Sequence, residues 1–326
     1  MKSRSKVLRL LELHRGDYLS GEQLANALGL SRSGIWKIIR SLRAEGYAID
    51  AKTNVGYRLA EDSSLLSREA LLPLIKDPTV GEGIQVFDTL PSTNTQAKRL
   101  AQEGAPHGTT VIAREQSAGR GRLGRSFYSP KNSGLYLSLI LRPALLTNQS
   151  LYITAAVGTL LCQIVKKVAN LDLKIKWVND LYHEGRKVCG ILTEAAADFE
   201  TGTIDYIVVG IGINLQRPSE GFPEDIQSRA GALFADHSPE RLNIRLAAEI
   251  INTLTDPDVF KNQEALMTDY KRRSLVLNRE VRLTGPAGEL TGIGTGFTPE
   301  GVLILKTAEG DNKIISSGEV SLRFGE

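Results

Sequence analysis

GRGRLGR, residues 119–125, contains three glycines and three arginines in seven positions. The run is close to the phosphate-binding pattern G-x-x-x-x-G-K-[ST], with Arg125 in the lysine position. That pattern requires a helix directly behind it, whereas SFYSPKNSG follows here and its Ser-Pro and Asn-Ser-Gly steps prevent one. We therefore interpret the run as a loop that lets a ligand approach the backbone and offers guanidinium groups to its carboxylate or phosphate oxygens. A basic surface loop is the alternative.

The segments around this loop predict a sheet. Runs typical of strands are TTVIARE, LYLSLILRP, LKIKW, KVCGILTEA and YIVVGIGINL, and an apolar helix is predicted from about Leu151 to Val168. GIGINL, residues 210–215, resembles the start of a dinucleotide fingerprint, but the third glycine and the following helix are missing, which excludes a Rossmann domain. Strands dominate, so we predict an α+β body: a mixed, largely antiparallel sheet with helices on one face.

The composition favours a folded protein of two or three domains, with 326 residues and 41% hydrophobic content. No apolar run is expected to approach the roughly 20 residues of a membrane helix, and the N-terminus lacks the features of a signal peptide, so we expect a cytoplasmic protein without a membrane partner. Cys162 and Cys189 lie in apolar stretches and predict buried thiols. The four histidines are scattered, and no metal site is predicted from them.

The first 60 residues form a basic module. They contain eleven Lys or Arg against five Asp or Glu, a net charge of +6, while the remaining residues carry −3. Three helices are predicted, the second beginning with the capping box Ser20–Gln23, followed by a hairpin at YAIDAKTNVGYRL. This order resembles the winged helix-turn-helix and favours DNA binding; a small domain with a solvated charged face is the alternative. The predicted DNA contacts are Arg32, Ser33, Lys37, Arg40 and Lys52. A linker with a short helix near Ser67–Ile75 should follow.

Several motifs occur in an order that resembles the biotin-protein ligases. They are STN (92–94), Gln116 followed by GRGRLGR, KWVNDLY (176–182), KVCGIL (187–192) and VVGIGINL (208–215). The basic module makes the chain similar to the bifunctional members, which also repress the biotin operon. The strand-rich C-terminal stretch resembles the SH3-like barrel that ends this family. The resemblance implies a winged helix-turn-helix at 1–63, a catalytic domain of the class II synthetase type at 64–273 and an SH3-like domain at 274–326.

The resemblance also implies the chemistry. Biotin and ATP, with Mg²⁺, would give biotinyl-5′-AMP, and a lysine of a biotin carboxyl carrier domain would then receive biotin. The adenylate would act as co-repressor by favouring a homodimer that binds operator DNA. No tightly bound metal or prosthetic group is expected, and the magnesium ligands are not identified.

The implied site residues fall into three sets. Those for biotin are Ser92, Thr93, Asn94, Gln116, Arg120, Gly121, Arg122, Lys187 and Gly190. Those for ATP and the adenylate are Arg122, Arg125, Phe127, Lys176, Asn179, Asp180, Gly210, Gly212 and Asn214. Arg122 and Lys187 are the implied catalytic residues. The glycines would give the backbone room for the ligand.

Alternatives remain for single residues and for the whole chain. Ser92 and Thr93 are also typical of a helix cap, and Asn179-Asp180 of a turn. Val178 stands where the family commonly has proline, and Phe127 where it often has tryptophan. A lipoate-protein ligase and a winged-helix regulator without catalysis are the competing functions.

Overall fold

The computed structural model describes residues 3–143, 149–198, 203–285 and 288–322. Within these ranges the chain forms sheets of two, seven and five strands. The two-stranded sheet lies near the N-terminus, the seven-stranded sheet forms the body, and the five-stranded sheet follows it. This arrangement confirms the predicted α+β fold class.

The N-terminal unit has three helices and a hairpin: α1 (Ser3–Leu13), α2 (Gly21–Leu28), α3 (Arg32–Ala44), β1 (Ile49–Lys52) and β2 (Gly56–Leu59). The predicted capping box forms, because Ser20 Oγ accepts from the Gln23 N–H and Gln23 Oε1 accepts from the Ser20 N–H. The unit has a hydrophobic core of its own, which includes Leu8, Ile35 and Leu59. It is the predicted winged helix-turn-helix.

Two short helices, α4 (Arg68–Leu71) and α5 (Pro78–Glu82), connect this unit to the body. A 3-10 turn at Leu72–Leu74 extends α4, which confirms the short helix predicted there. The body sheet consists of β3 (Ile84–Leu90), β4 (Thr110–Gln116), β5 (Gly134–Leu141), β6 (Lys174–Lys176), β7 (Asp180–His183), β8 (Arg186–Asp198) and β9 (Thr203–Asn214). Its order is β3-β4-β5-β9-β8-β7-β6. β3 and β4 run parallel and the other neighbours antiparallel, as predicted for a mixed sheet.

Helices cover both faces of the body sheet. α7 (Ser150–Ala169) and α8 (Leu242–Leu254) share a core with Leu139 and Val209. α6 (Thr93–Gln102) packs in a different core, against Ile140 and Val208. Adjacent strand residues point to opposite faces, so α6 lies across the sheet from α7 and α8. The prediction of helices on one face therefore holds for α7 and α8 but not for α6. The signal for the second face was β5, which is buried on both faces and is apolar from Leu135 to Leu141 except at Ser138.

α7 corrects the expectation about apolar runs. It is 20 residues long and apolar enough to cross a membrane by length and composition, so the statement that no run approaches this length is wrong. In the structure 72% of its apolar window is buried inside the protein. It packs between the sheet and α9 (Gln263–Arg273), where Thr159 Oγ1 donates to Leu266 O at 3.3 Å. These contacts are those of a core helix.

The C-terminal sheet contains β10 (Glu280–Gly285), β11 (Gly288–Phe297), β12 (Leu303–Lys306), β13 (Asn312–Ile315) and β14 (Glu319–Leu322). It is antiparallel, in the order β13-β12-β11-β10-β14, and confirms the small β domain predicted there. Val281, Leu303 and Val320 belong to the same core as the body. Trp177 Nε1 also donates to Gly301 O at 2.9 Å. The body and the C-terminal sheet are therefore held together by packed side chains as well as by the covalent backbone.

Candidate active site

A cleft of about 190 Å³ lies between the Gly-Arg loop (residues 119–125), the body sheet and the C-terminal sheet. Every residue that the motifs suggested for biotin or nucleotide lines it: Ser92, Thr93, Asn94, Gln116, Arg120, Gly121, Arg122, Arg125, Phe127, Lys176, Asn179, Asp180, Lys187, Gly190, Gly210, Gly212 and Asn214. The fold thus brings five separate motifs to one place.

The end of the cleft beside α6 is polar and closely hydrogen-bonded. Gln116 Oε1 accepts from the Thr93 N–H at 2.8 Å and from Thr93 Oγ1 at 3.1 Å. Asn94 Oδ1 accepts from Ser138 Oγ at 2.6 Å, and Asn94 Nδ2 donates to Glu194 Oε2 at 3.0 Å. Thr93 and Asn94 are each only 4% exposed. Their orientations are therefore fixed, as selective recognition of a polar ring requires.

Ser92 is the N-cap of α6, where its Oγ accepts from the Thr95 N–H at 3.4 Å. The cap leaves the next residue, Thr93, free to turn toward Gln116. The helix-cap alternative therefore describes Ser92 but not Thr93.

Glycines of β8 and β9 form the floor of the cleft. Gly190 and Gly212 are direct partners across the two strands. A Cβ on Gly212 would lie 2.5 Å from Phe127 Cε1, and one on Gly190 would lie 3.2 Å from Phe127 Cε2. The Phe127 ring therefore lies directly on the backbone at this pair. The amide of Asn94 occupies the place of a Cβ on Gly210. The room over these glycines, which was expected for the ligand, thus holds two side chains that line the cleft.

Lys187 and Asp180 form an ion pair in the lining of the cleft, with Nζ 2.6 Å from Oδ1. They stand on neighbouring strands, where a register shift between Leu181 and Tyr182 brings Lys187 opposite Tyr182. The two side chains are 31% and 21% exposed, so a ligand can reach both. An ammonium has three donors, and one ion pair leaves others for an incoming anion.

Two further cations lie in partly buried positions. Arg122 Nη1 donates to Asn179 Oδ1 at 3.1 Å. Burial lowers the pKa of the Arg122 guanidinium, and it lowers the pKa of the Lys176 ammonium as well, although the Asp180 charge opposes both shifts. Each charge is therefore incompletely compensated, and a bound phosphate would stabilise it.

The Gly-Arg loop is a short hairpin. The Gly121 N–H donates to Arg125 O at 2.7 Å, and the Phe127 N–H donates to Gly119 O at 2.9 Å. Its tip turns through Leu123, with a φ of 54°. Arg125 forms a bidentate ion pair with Glu319 of β14, in which Nη1 and Oε1 are 2.6 Å apart. The loop is thereby tied to the C-terminal sheet.

Sequence reasoning missed two carboxylates and one segment of the site. Glu194 lies beside the cleft, where its Oε1 is 3.7 Å from Arg120 Nη1 and its Oε2 accepts from Asn94 Nδ2. It is four residues after Gly190 on the same strand and points to the same face, so strand alternation could have found it. Glu319 is distant in the chain. The segment 229–231 runs beside Lys187, whose N–H donates to the carbonyl at position 229 at 2.8 Å. Only the fold reveals that Glu319 and the segment 229–231 belong to the site.

A second concave surface, the α3 groove, lies between α3 and the β1–β2 hairpin. Three of the predicted DNA contacts, Arg32, Arg40 and Lys52, line it. Ser33 and Lys37 are exposed on α3 outside its lining. Arg43 and Trp36, which were not predicted, also line it. The groove is rich in cations, as a surface that follows a phosphate backbone must be.

Fold and sites together define a class of protein: a winged helix-turn-helix joined to a domain whose cleft suits a ligand with a polar head and an anionic end. Residues 86–214 match the Biotin/lipoate A/B protein ligase family. Residues 3–58 match an HTH domain, and residues 276–323 match the Biotin protein ligase C terminal domain.

Full-length relatives agree with these matches. The chain is 32% identical over 326 residues to the bifunctional ligase/repressor BirA of Bacillus subtilis (strain 168), covering 96% of this chain and 97% of that protein. It is 31% identical to the bifunctional ligase/repressor BirA of Escherichia coli (strain K12), covering 100% of both. The solved biotin protein ligase from Aquifex aeolicus, in complex with biotin and ATP, is similar with a TM-score of 0.56 and 28% identity, over 74% of this chain and 98% of that chain. The chain therefore belongs to the biotin protein ligase family, in its bifunctional ligase/repressor form.

Proposed function

We propose that the protein activates biotin with ATP and transfers it to a lysine of a biotin carboxyl carrier domain. In the first step a biotin carboxylate oxygen attacks the α-phosphorus, giving biotinyl-5′-AMP and pyrophosphate. In the second, the lysine ε-amine attacks the acyl carbon of this mixed anhydride and AMP leaves. Neither step requires a nucleophile from the enzyme, so positioning and charge stabilisation supply the catalysis.

One observation carries the proposal: a hydrogen-bonded polar pocket and a cluster of cations line the same cleft. Biotin has a neutral ureido ring at one end and a carboxylate at the other. The ring fits the pocket of Ser92, Thr93 and Asn94, and the carboxylate fits Lys187. Gln116 acts by positioning, because its Oε1 accepts from Thr93 while its Nε2 donates to Ser129 Oγ at 2.9 Å.

The remaining residues divide between the acyl phosphate and the nucleotide. We assign to Arg122 the stabilisation of the negative charge that develops at phosphorus. Arg120 and Gly121 cover biotin beside it. Lys187 holds the carboxylate and then the acyl phosphate oxygens. The nucleotide side comprises Arg125, Phe127, Lys176, Asn179, Asp180 and Asn214. Gly190, Gly210 and Gly212 contribute by leaving room for the Phe127 ring and the Asn94 amide.

Magnesium enters as the ion of MgATP in this proposal. Among residues 3–143, 149–198, 203–285 and 288–322, no group of three His, Cys, Asp or Glu is placed to hold a metal ion. The cleft carboxylates Asp180 and Glu319 are already paired with Lys187 and Arg125. The side chains of the cleft therefore suit contact with the phosphates of MgATP better than coordination of the Mg²⁺ ion.

The proposal includes regulation. When the carrier is scarce, the adenylate stays bound, favours a homodimer, and the dimer represses by binding operator DNA through the α3 groove, all in the cytoplasm. A ligand shifts an equilibrium only when it binds one state more tightly than the other. The adenylate therefore acts as a co-repressor by binding the state that dimerises more tightly than the state that does not. The proposed division is a DNA-binding winged helix-turn-helix at residues 1–63, a catalytic domain that binds biotin and ATP at 64–273, and an SH3-like domain at 274–326.

The test of the ligase is ATP–pyrophosphate exchange with biotin, with lipoate or with neither. We expect exchange with biotin only. Exchange restricted to lipoate would mean a lipoate ligase, and its complete absence would favour a regulator without catalysis. The test of separable functions is the double variant Lys37→Ala/Arg40→Ala, which should lose DNA affinity and keep biotin transfer. Arg9→Ala, an exposed cation of α1, is the matched control.

A further inference from the structure

Trp36 is a large apolar side chain in the middle of a basic groove. It is 51% exposed, whereas the other tryptophan, Trp177, is 4% exposed. Tryptophan is usually well buried, and it is enriched where a surface binds a partner. The α3 groove therefore presents two large exposed apolar side chains among its charged ones: Trp36 on α3, and Val55, which is 39% exposed, on the hairpin.

The position of Trp36 is fixed by the helix. Arg32, Trp36 and Arg40 follow one another at four-residue spacing along α3 and line the groove. The adjoining face of α3 is anchored by Ile35 and Ile39, which are at most 2% exposed. The Arg40 guanidinium carbon lies 5.5 Å from the Trp36 ring centroid, a cation–π contact that orders both side chains. The indole is thus held toward whatever enters the groove.

The chemistry of the groove separates two kinds of DNA contact. Arg32, Arg40, Arg43 and Lys52 suit phosphates, which are the same in every sequence. An indole face suits an apolar group, and the apolar group exposed in the major groove is the 5-methyl of thymine. We propose that Trp36 contacts a thymine 5-methyl in each half of the bound site and thereby selects sequence. The inference rests on the proposed DNA binding.

The experiment uses the full chain with biotin and MgATP. Wild-type protein first selects duplexes from a pool of randomised sequence. In a selected duplex each thymine is then replaced in turn by deoxyuridine, which removes only the methyl group. At one position in each half-site, wild type should lose about fourfold in affinity, the value of one buried methyl, and Trp36→Ala should lose none. Leu13→Ala, which truncates an apolar side chain of α1 that is 58% exposed, should respond as wild type does.

Two more measurements distinguish base contact from phosphate contact. Trp36→Ala should lower the ratio of selected-site to random-DNA affinity by about tenfold or more and leave the salt dependence unchanged. Arg40→Ala should reduce the salt dependence, because it removes a phosphate partner. The free energy of unfolding in urea should be equal for Trp36→Ala and wild type, because the side chain is on the surface.

The outcomes that oppose the inference are distinct. A wild-type affinity ratio in Trp36→Ala, an equal response of both proteins at every thymine, or a reduced salt dependence would overturn it while DNA binding stands. If the wild-type protein enriches no duplex, the DNA-binding proposal fails and this inference fails with it.

Discussion

Lys187 Nζ lies 2.6 Å from Asp180 Oδ1, and the two residues stand on neighbouring strands that line the cleft. The ion pair orders the ammonium before any ligand binds, so little reorganisation is needed when a carboxylate and a phosphate arrive. Stabilisation by charges that are placed in advance is usually the largest single contribution to catalysis.

Lys187→Ala should lower the rate of biotin-dependent ATP–pyrophosphate exchange by about 100-fold or more, because a charge at the reacting groups is lost. Asp180→Asn should lower it less, by about tenfold, because the ammonium remains but loses its anchor. Lys174→Ala, on the exposed side of β6, is the matched control and should be near wild type. More than a tenth of the wild-type rate in Lys187→Ala would contradict the assigned role.

The bond between Arg125 and Glu319 connects the Gly-Arg loop to the C-terminal sheet. Glu319→Gln should increase hydrogen exchange at residues 119–127 and raise the KM for ATP several-fold, because the loop loses its tether. The side chains are 53% and 34% exposed, so unfolding free energy should change by less than about 1 kcal/mol.

A double-mutant cycle makes this prediction sharper. Arg125→Ala added to Glu319→Gln should raise the KM little beyond the larger single effect, because both remove one interaction. Glu289→Gln, which removes the exposed pair with Arg282 in the same sheet, is the control. Additive effects of the two variants would mean that the residues act independently.

The motifs located most of the cleft because each lies where a strand or turn faces the same space. Gly190 and Gly212 illustrate this: they are 22 positions apart, yet antiparallel pairing makes them partners. Periodicity also predicted the strands and the capped helices, since these depend on residues close in sequence. Local patterns therefore predicted the fold class, and the family resemblance of the motifs implied the residues of the floor.

Contacts between distant segments were not predictable in the same way. Glu319 reaches Arg125 across 194 positions, and nothing near either residue indicates the other. Helices were predicted on one face only, and α6 covers the other; β5 is buried on both faces, and periodicity alone cannot orient such a strand. Trp36 was passed over because an aromatic residue beside the helix core looks like part of that core until exposure is known.

Gly212→Ala should disturb the Phe127 ring. A Cβ there would lie 2.5–2.9 Å from three atoms of that ring, so the ring must leave the floor of the cleft. We expect roughly tenfold lower kcat/KM for ATP and a loss of about 1–3 kcal/mol in unfolding free energy, the usual cost of overpacking. Gly296→Ala, whose Cβ would meet only Ile304 Cδ1 at 3.6 Å, is the control for unfolding in urea. Unchanged kinetics in Gly212→Ala would contradict close packing of the ring on the strand.

Lys176 gives a prediction about pH. Burial lowers its pKa below the ordinary 10.5, so the folded protein holds this proton less tightly than the unfolded chain does. Between the lowered pKa and 10.5 the unfolded state binds more protons than the folded state, so the free energy of unfolding rises with pH. Below this pH window Lys176 is charged in both states, and the full cost of burying its ammonium destabilises the folded protein.

Lys176→Met should therefore stabilise the ligand-free protein at pH 7 by on the order of 1 kcal/mol. It should also remove the contribution of Lys176 to the rise of the unfolding free energy at alkaline pH. The same variant should weaken nucleotide binding, because a phosphate partner is lost. Urea unfolding at pH 7 and pH 10 and calorimetric titration with ATP measure the two effects. Lys174→Met, an exposed lysine two positions away, should change neither. A destabilised Lys176→Met protein at pH 7 would show that attraction to the Asp180 and Glu319 charges outweighs burial. Unchanged ATP affinity would remove Lys176 from the nucleotide site.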